Sequence, residues 1–337
     1  MAHHFKLSRR FARFRLPTVV LALGAIVGCD NGNSFNSDSS TPPGISEAIP
    51  SDPVSSINDG ATPGDDAVTM SEIGEPSLSS ASFSGGIPIG STAQPNTAFG
   101  SVYNGALRNI YPQFLSRDLS AIKSRGGKVA LMMAGPDWQY KDADGHFSLT
   151  KWKARIDRYN NVNFNSFISD GTLIGHYLID EPNDPANWNG RPIDGRTLDE
   201  MARYSKAKWP TLVTIVRTQP DYLEKWGPYR YLDAAWAQYV ERKGDADRYL
   251  ESNVASAKRQ GLGLVVGLNV LKGGVGNRRM TPSQVKSWGS AMLNSTYPCA
   301  FISWKYDSYL ASNDMRDAMN SLRNKAESRA FKTCRGS

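Results

Sequence analysis

The sequence predicts a (β/α)8 barrel, with some irregularity allowed, for everything from about Gly86 to Ser337. Three observations carry this. Composition turns globular at Gly86, and the remaining chain has roughly the 250 residues that such a barrel needs. Short apolar runs then alternate with segments of helical period, a pattern that builds a parallel sheet covered by helices. No glycine-rich phosphate loop follows the first strand, which disfavours a doubly wound open sheet.

The chain divides into residues 1–28, 29–85 and 86–337. In the first part, Lys6, Arg9, Arg10, Arg13 and Arg15 form a basic stretch without acidic residues, and an apolar run follows from Leu16 to Val27. The run is shorter than the roughly 20 apolar residues of a spanning helix and suits a cleavable signal. It ends in Ile26-Val27-Gly28-Cys29, which resembles the lipobox of bacterial lipoproteins. The resemblance implies that Cys29 is lipidated, that the chain is cut before it, and that the protein is held by its lipid in the cell envelope, periplasmic or at the cell surface. Ser8-Arg9-Arg10 opens a twin-arginine pattern, but Ala12 stands where an aromatic or leucine is usual.

Residues 29–85 are rich in Ser, Gly, Pro, Asp and Asn, and their few apolar residues have no period. Such a segment buries too little surface to offset its ordering entropy and is expected to be a disordered acidic stalk. The formal charge of +7 hides an asymmetry: no Lys or Arg occurs between Asp30 and Leu107, whereas nine acidic residues do. Residues 108–337 therefore carry 34 basic against 23 acidic residues. A basic domain suits an anionic glycan or a membrane surface, although a solvated basic face is the plainer reading. Export argues against nucleic acid as a partner.

Within the domain, Phe99–Asn104 is expected as the first strand and 114–124 as a helix closed by Gly126-Gly127. Strands follow at 128–134, 172–180, 211–217, 232–240, 262–271 and 301–306. Helices are expected at 149–167, 197–208, 246–259, 282–293 and 314–327. This gives seven strands, and the eighth is sought between Ile87 and Ala98 or after Asp137. Cys299 precedes the last strand, and the closing helix runs back antiparallel to deliver Cys334 to the same end. These two cysteines are expected to form a disulfide, consistent with an oxidising compartment.

Chemistry in such a barrel gathers where strands end. Those positions hold Asp137, Trp138 and Tyr140; Asp180 and Glu181; Arg217; Trp236 and Gln238; Asn269; and Trp304, Lys305 and Asp307. Aromatics interleaved with carboxylates and amides suit a sugar, because rings stack on its C–H faces while polar groups hold its hydroxyls. Gly175-His-Tyr-Leu-Ile-Asp-Glu-Pro182 resembles the strand end that bears the acid/base in (β/α)8 glycoside hydrolases. The resemblance implies Glu181 as proton donor, Asp180 as its sugar-binding or tuning neighbour, and Trp304 as the platform tryptophan. It implies hydrolysis of an envelope or extracellular polysaccharide by a membrane-anchored protein.

The chain departs from that pattern at the second carboxylate. The late strands offer Asn269 and Gln238 where such enzymes usually place a glutamate, so Asp307 is the leading candidate and Asp137 the next. The competing reading is a glycan-binding lipoprotein without catalysis on the same scaffold. His176 is expected in the core. With no cluster of His and Cys, no metal or other cofactor is expected. Gly273-Gly274-Val275-Gly276 lacks the Lys-Ser ending of a phosphate loop. The domain is expected to be a monomer.

Overall fold

The computed structural model describes residues 85–336; the expected signal, the expected lipidation at Cys29 and the expected stalk lie outside the described residues. Eight parallel strands close into a barrel in chain order: β1 Ile89–Thr92, β2 Gly105–Arg108, β3 Lys128–Met132, β4 Leu173–Asp180, β5 Thr214–Arg217, β6 Ala234–Tyr239, β7 Gly263–Leu268 and β8 Ala300–Ser303. The last strand pairs with the first, Gly90 opposite Ile302. The helices are α1 Leu115–Lys123, α2 Leu149–Asp157, α3 Asn165–Ser169, α4 Gly195–Lys208, α5 Pro220–Leu223, α6 Ala246–Arg259, α7 Pro282–Met292 and α8 Asn313–Glu327.

Two expectations are corrected. Phe99–Asn104 is not a strand. Its ends form an isolated bridge, Phe99 with Tyr103, around a turn in which Gly100 has a φ of 91°. The strand of that region is β2, and the eighth strand is β1, within the 87–98 stretch. Both are four residues long and glycine-bearing. The glycines are needed: a Cβ on Gly90 would lie 1.6 Å from the Gly105 carbonyl oxygen. No long helix joins β1 to β2, only a short 3-10 turn at Asn96–Ala98. The expected helix over 149–167 is two pieces, because the chain turns at Tyr159–Val162 after α2 ends.

Helix starts follow local capping chemistry. The Asp194 carboxylate accepts from the Thr197 amide at 2.8 Å, and Asp245 accepts from Arg248 at 2.9 Å. Thr281 and Gln284 form a reciprocal box before α7. Each cap satisfies amides that the first helical turn leaves open.

The core has an inside and an outside. Inward residues of the strands, among them Leu107, Met132, Tyr177, Ile215, Val265 and Ile302, fill the barrel. Outward strand residues and the helices build the surrounding layer, with Trp152, Leu198 and Met201 in the first half and Val266, Leu268, Met315 and Leu322 in the second. His176 belongs to this outer layer. It is fully buried, its Nδ1 lies 2.8 Å from the Ser205 hydroxyl, and its ring stacks on Trp152. Burial pushes its pKa down to about 3.

The chain's end closes the barrel from below. Cys299 and Cys334 are disulfide-bonded, with Cα atoms 5.1 Å apart. Both are buried against Val213, Ala234 and Ala300. The tail thus crosses the end where strands begin and leaves the other end open for chemistry.

Candidate active site

The open end is organised around Arg217, the last residue of β5. Its guanidinium is buried, donates to Asp180 at the end of β4 and to the Gln238 side-chain oxygen of β6, and lies 3.0 Å from the Glu181 carboxylate. The same group sits over the ring of Trp304, the residue that follows β8, 5.6 Å from its centroid. Four strands therefore converge on one cation. Burial disfavours that charge, but Asp180 and Glu181 outweigh the penalty and the pKa of Arg217 is raised.

Asp180 and Glu181 are neighbours in sequence, and in a continuing strand they would point to opposite faces. The strand ends at Asp180, and Glu181 takes a left-handed conformation with φ 38°. That costs roughly 1–2 kcal/mol for a non-glycine residue. The turn brings both carboxyls onto Arg217. The Glu181 amide donates to the Arg217 carbonyl at 3.0 Å, and the Trp188 indole donates to the Glu181 carbonyl at 2.9 Å, so the turn is held from two sides.

The two carboxyls differ in setting. Asp180 is buried. One oxygen accepts from the Tyr177 hydroxyl at 2.9 Å and from Arg217, while its other oxygen has no hydrogen-bond partner. Glu181 keeps 27% of its side chain exposed, and the Asn187 amide approaches it at 3.5 Å. Its pKa is raised, first by burial and then by the charges of Asp180 and Asp184, against the opposing pull of Arg217. Burial thus favours the protonated form of Glu181, and the Arg217 guanidinium beside it opposes that.

The remaining predicted residues fall into several settings. Asp137 and Tyr140 share with Asp180, Asn187 and Trp188 a cleft that admits about one water, 10 Å3. There Asp137 pairs with Lys141, and Tyr140 stacks on Trp188. Trp138 stands at the rim, 64% exposed. Lys305 lies over the Trp304 ring at 5.9 Å. Trp236 is packed inside the barrel beneath Gln238, 1% exposed and edge-on to Tyr177, so it supports the mouth from below and has no open face for a ligand.

Asn269 and Asp307 serve their own turns. The Asn269 side chain accepts from the Lys272 amide at 3.0 Å. Asp307 accepts from the amides of Tyr309 and Leu310 and pairs with Arg279 at 3.3 Å. Of the two candidates for second carboxylate, Asp137 is the one that lines a cleft with Asp180.

Tyr177, Asn187 and Trp188 were not expected at the site. Tyr177 lies within the quoted motif, three residues before Asp180, and a β-bulge between them turns both inward. Asn187 and Trp188 lie in the loop just after the motif, where an indole and an amide so close to the acid are the signal. A second cavity of about 260 Å3 lies beside the β1–β2 connection, bordered by Tyr103, Tyr306, Leu310 and Arg316.

No family model matches the chain, and no curated protein matches it. Solved structures similar to it include a GH18 chitinase from Pseudoalteromonas aurantia, at 12% identity and TM-score 0.46, covering 69% of this chain and 99% of that one. The glycoside hydrolase domain of PelA from Pseudomonas aeruginosa is 13% identical with TM-score 0.41, covering 65% of this chain and 95% of that one. A β-mannanase from the blue mussel Mytilus edulis is 12% identical with TM-score 0.47, covering 74% and 95%.

Proposed function

We propose that this chain is an exported, lipid-anchored glycoside hydrolase acting on an envelope or extracellular polysaccharide, with Glu181 as general acid/base. The observation that carries the reading is Glu181 itself. It is a carboxyl at the open end of β4 with a raised pKa, beside the Asp180–Arg217 pair and the face of Trp304. Protonated Glu181 gives its proton to the glycosidic oxygen as the bond to the anomeric carbon breaks. Water adds to that carbon, and a carboxylate takes the water's proton. Asp137, on the shared cleft, is the better placed base, and Asp180 tunes the acid.

A second reading has its own support. Asp137, Asp180 and Asp307 are each paired with a cation, as carboxylates that only hold a ligand in place would also be. A mouth of this kind also suits a protein that holds a glycan without cleaving it.

Release of reducing ends from a panel of polysaccharides, compared for wild type and Glu181→Gln, separates the two. Catalysis predicts cleavage by the wild type that drops about 10³-fold in the variant while binding persists. Activity should also fall as pH rises through the raised pKa of Glu181, since the donor needs its proton. Binding without cleavage by the wild type supports the second reading, and full activity in the variant removes Glu181 from the mechanism.

A further inference from the structure

We propose that the base of the barrel, the end opposite the candidate active site, is a docking surface for an anionic phospholipid bilayer. The inference goes beyond the chemistry at the mouth and draws on the anchoring reading only to bring this face within reach of a membrane.

Three observations support it. The first is unbalanced charge. At this end five carboxylates are ion-paired, Asp170 with Lys123, Asp233 with Lys206, Asp157 with Lys208, Glu224 with Arg259 and Glu327 with Arg323, while Asp199 accepts from the Tyr231 and Leu232 amides. Lys258, Arg329, Lys332 and Arg335 rest on rings and carbonyls and Lys325 on a carbonyl and an amide, while Lys128 also feels the charge of Asp170. Lys258 and Lys332 both lie over the Tyr297 ring, at 5.3 and 4.4 Å, and Lys128 over Phe331 at 5.1 Å. Arg329 donates to the Pro298 carbonyl and Arg335 to that of Thr211. Helix ends attract cations, which accounts for Lys258 and Lys325 in last turns. It does not account for Arg329, Lys332 and Arg335, which follow the last helix.

The second observation is an exposed aromatic ring within this patch. Phe331 is 49% exposed, on the tail that carries the cations. A ring flanked by cations is the composition of a surface that meets headgroups and the edge of the acyl region. The third is the point of attachment. The described chain begins at Gly85, and the Ile87 amide donates to the Ala326 carbonyl at 3.1 Å, at the C-terminal end of α8. The segment that leads back to Cys29 thus joins the domain at the basic end. A tether there keeps the basic face within reach of the surface that holds it. Within the chain, the nine acidic residues between Asp30 and Glu75 are the competing occupant, but residues 76–84 carry no charge and offer the patch nothing at close range.

The test uses residues 29–337 with Cys29→Ser, so that no lipid contributes, and measures co-sedimentation with vesicles. Binding is expected to phosphatidylcholine vesicles containing phosphatidylglycerol, to weaken with salt, and to be absent with pure phosphatidylcholine. Each cation near such a surface is worth roughly fivefold in affinity, so the double variant K258Q/K332Q should bind at least about tenfold more weakly. K258R/K332R should bind as the wild type does, and Lys272→Gln, on a loop at the opposite end, should change nothing. Thermal melts check that the variants are folded. Equal binding to both vesicle types, an unchanged K258Q/K332Q, or no vesicle binding by the full chain because its acidic segment holds the face would each overturn the proposal. So would tight binding to polygalacturonate with none to vesicles. No arm of the test uses a glycosidase substrate, so its outcome is separate from that of the catalytic reading.

Discussion

The two ends of the barrel solve opposite problems. At the mouth, buried charges are packed together and satisfy one another. Arg217 holds Asp180, Glu181 and Gln238, and Lys141 holds Asp137. At the base, the closing elements are a disulfide and apolar packing, and the charges are half-buried and exposed cations resting on rings and carbonyls. Taking charges out of water costs more than pairing them reliably returns. The mouth therefore reads as a place kept polar for chemistry, and the base as the place where the fold is fastened.

The sharpest way to break this contrast is Arg217→Met. It leaves Asp180 buried without its cation, and unfolding by denaturant should show a loss of about 3–5 kcal/mol. The same change removes the group that opposes protonation of Glu181, so the alkaline limb of any activity profile should move to higher pH. A stability change under about 1 kcal/mol would mean that the network is not a buried charge cluster in solution.

The base should respond nearly as strongly, but without a cost at the mouth. Replacing Cys299 and Cys334 by alanine opens a loop with a sequence separation of 35. Chain entropy then puts the loss at about 3–4 kcal/mol. Glycan affinity should stay within about twofold, a shift near 0.4 kcal/mol. Coupled losses in melting temperature and affinity would show that the two ends are not independent.

The layer between the ends sets the response to acid. His176 titrates near its ordinary value when unfolded but at about 3 in the fold. Between those values the unfolded chain binds the extra proton, so stability is full above about pH 6.5 and falls as pH drops towards 3. By pH 4.5 the loss should be on the order of 2–3 kcal/mol. His176→Gln should lower stability at neutral pH yet flatten this slope, and an unchanged slope in denaturation curves would assign it to other groups.

The smallest effect is expected at the rim. Trp138→Ala removes a ring that stands mostly in solvent, so stability should shift by less than about 0.5 kcal/mol. Under the glycan reading, affinity falls severalfold. Measured by calorimetry, a variant that loses stability but not affinity would make Trp138 a packing residue.

Much of this was legible in the residues themselves. Long strands with continuous apolar runs, such as β4 and β7, and helices with capping residues, such as α6 and α7, follow from local chemistry that needs no distant partner. The pairing of Cys299 with Cys334 followed from counting βα units, because each unit returns the chain to the same end. What the residues did not announce was β2, and they offered β1 only as one of two places for the eighth strand. Four-residue strands with glycines carry almost no period, and only the neighbouring backbone, too close for a Cβ, explains them. The site was split in the same way. Glu181 stood out by its place after a strand, but its partnership with Arg217 depends on a left-handed turn and on a strand 36 positions away. Asn269 and Asp307 have the right chemistry at strand ends, yet each spends its acceptor on its own loop. Residue type and spacing determine which groups can do chemistry. Which of them face each other across a barrel is fixed by closure, since only when β8 meets β1 do side chains distant in sequence enter the same low-dielectric space.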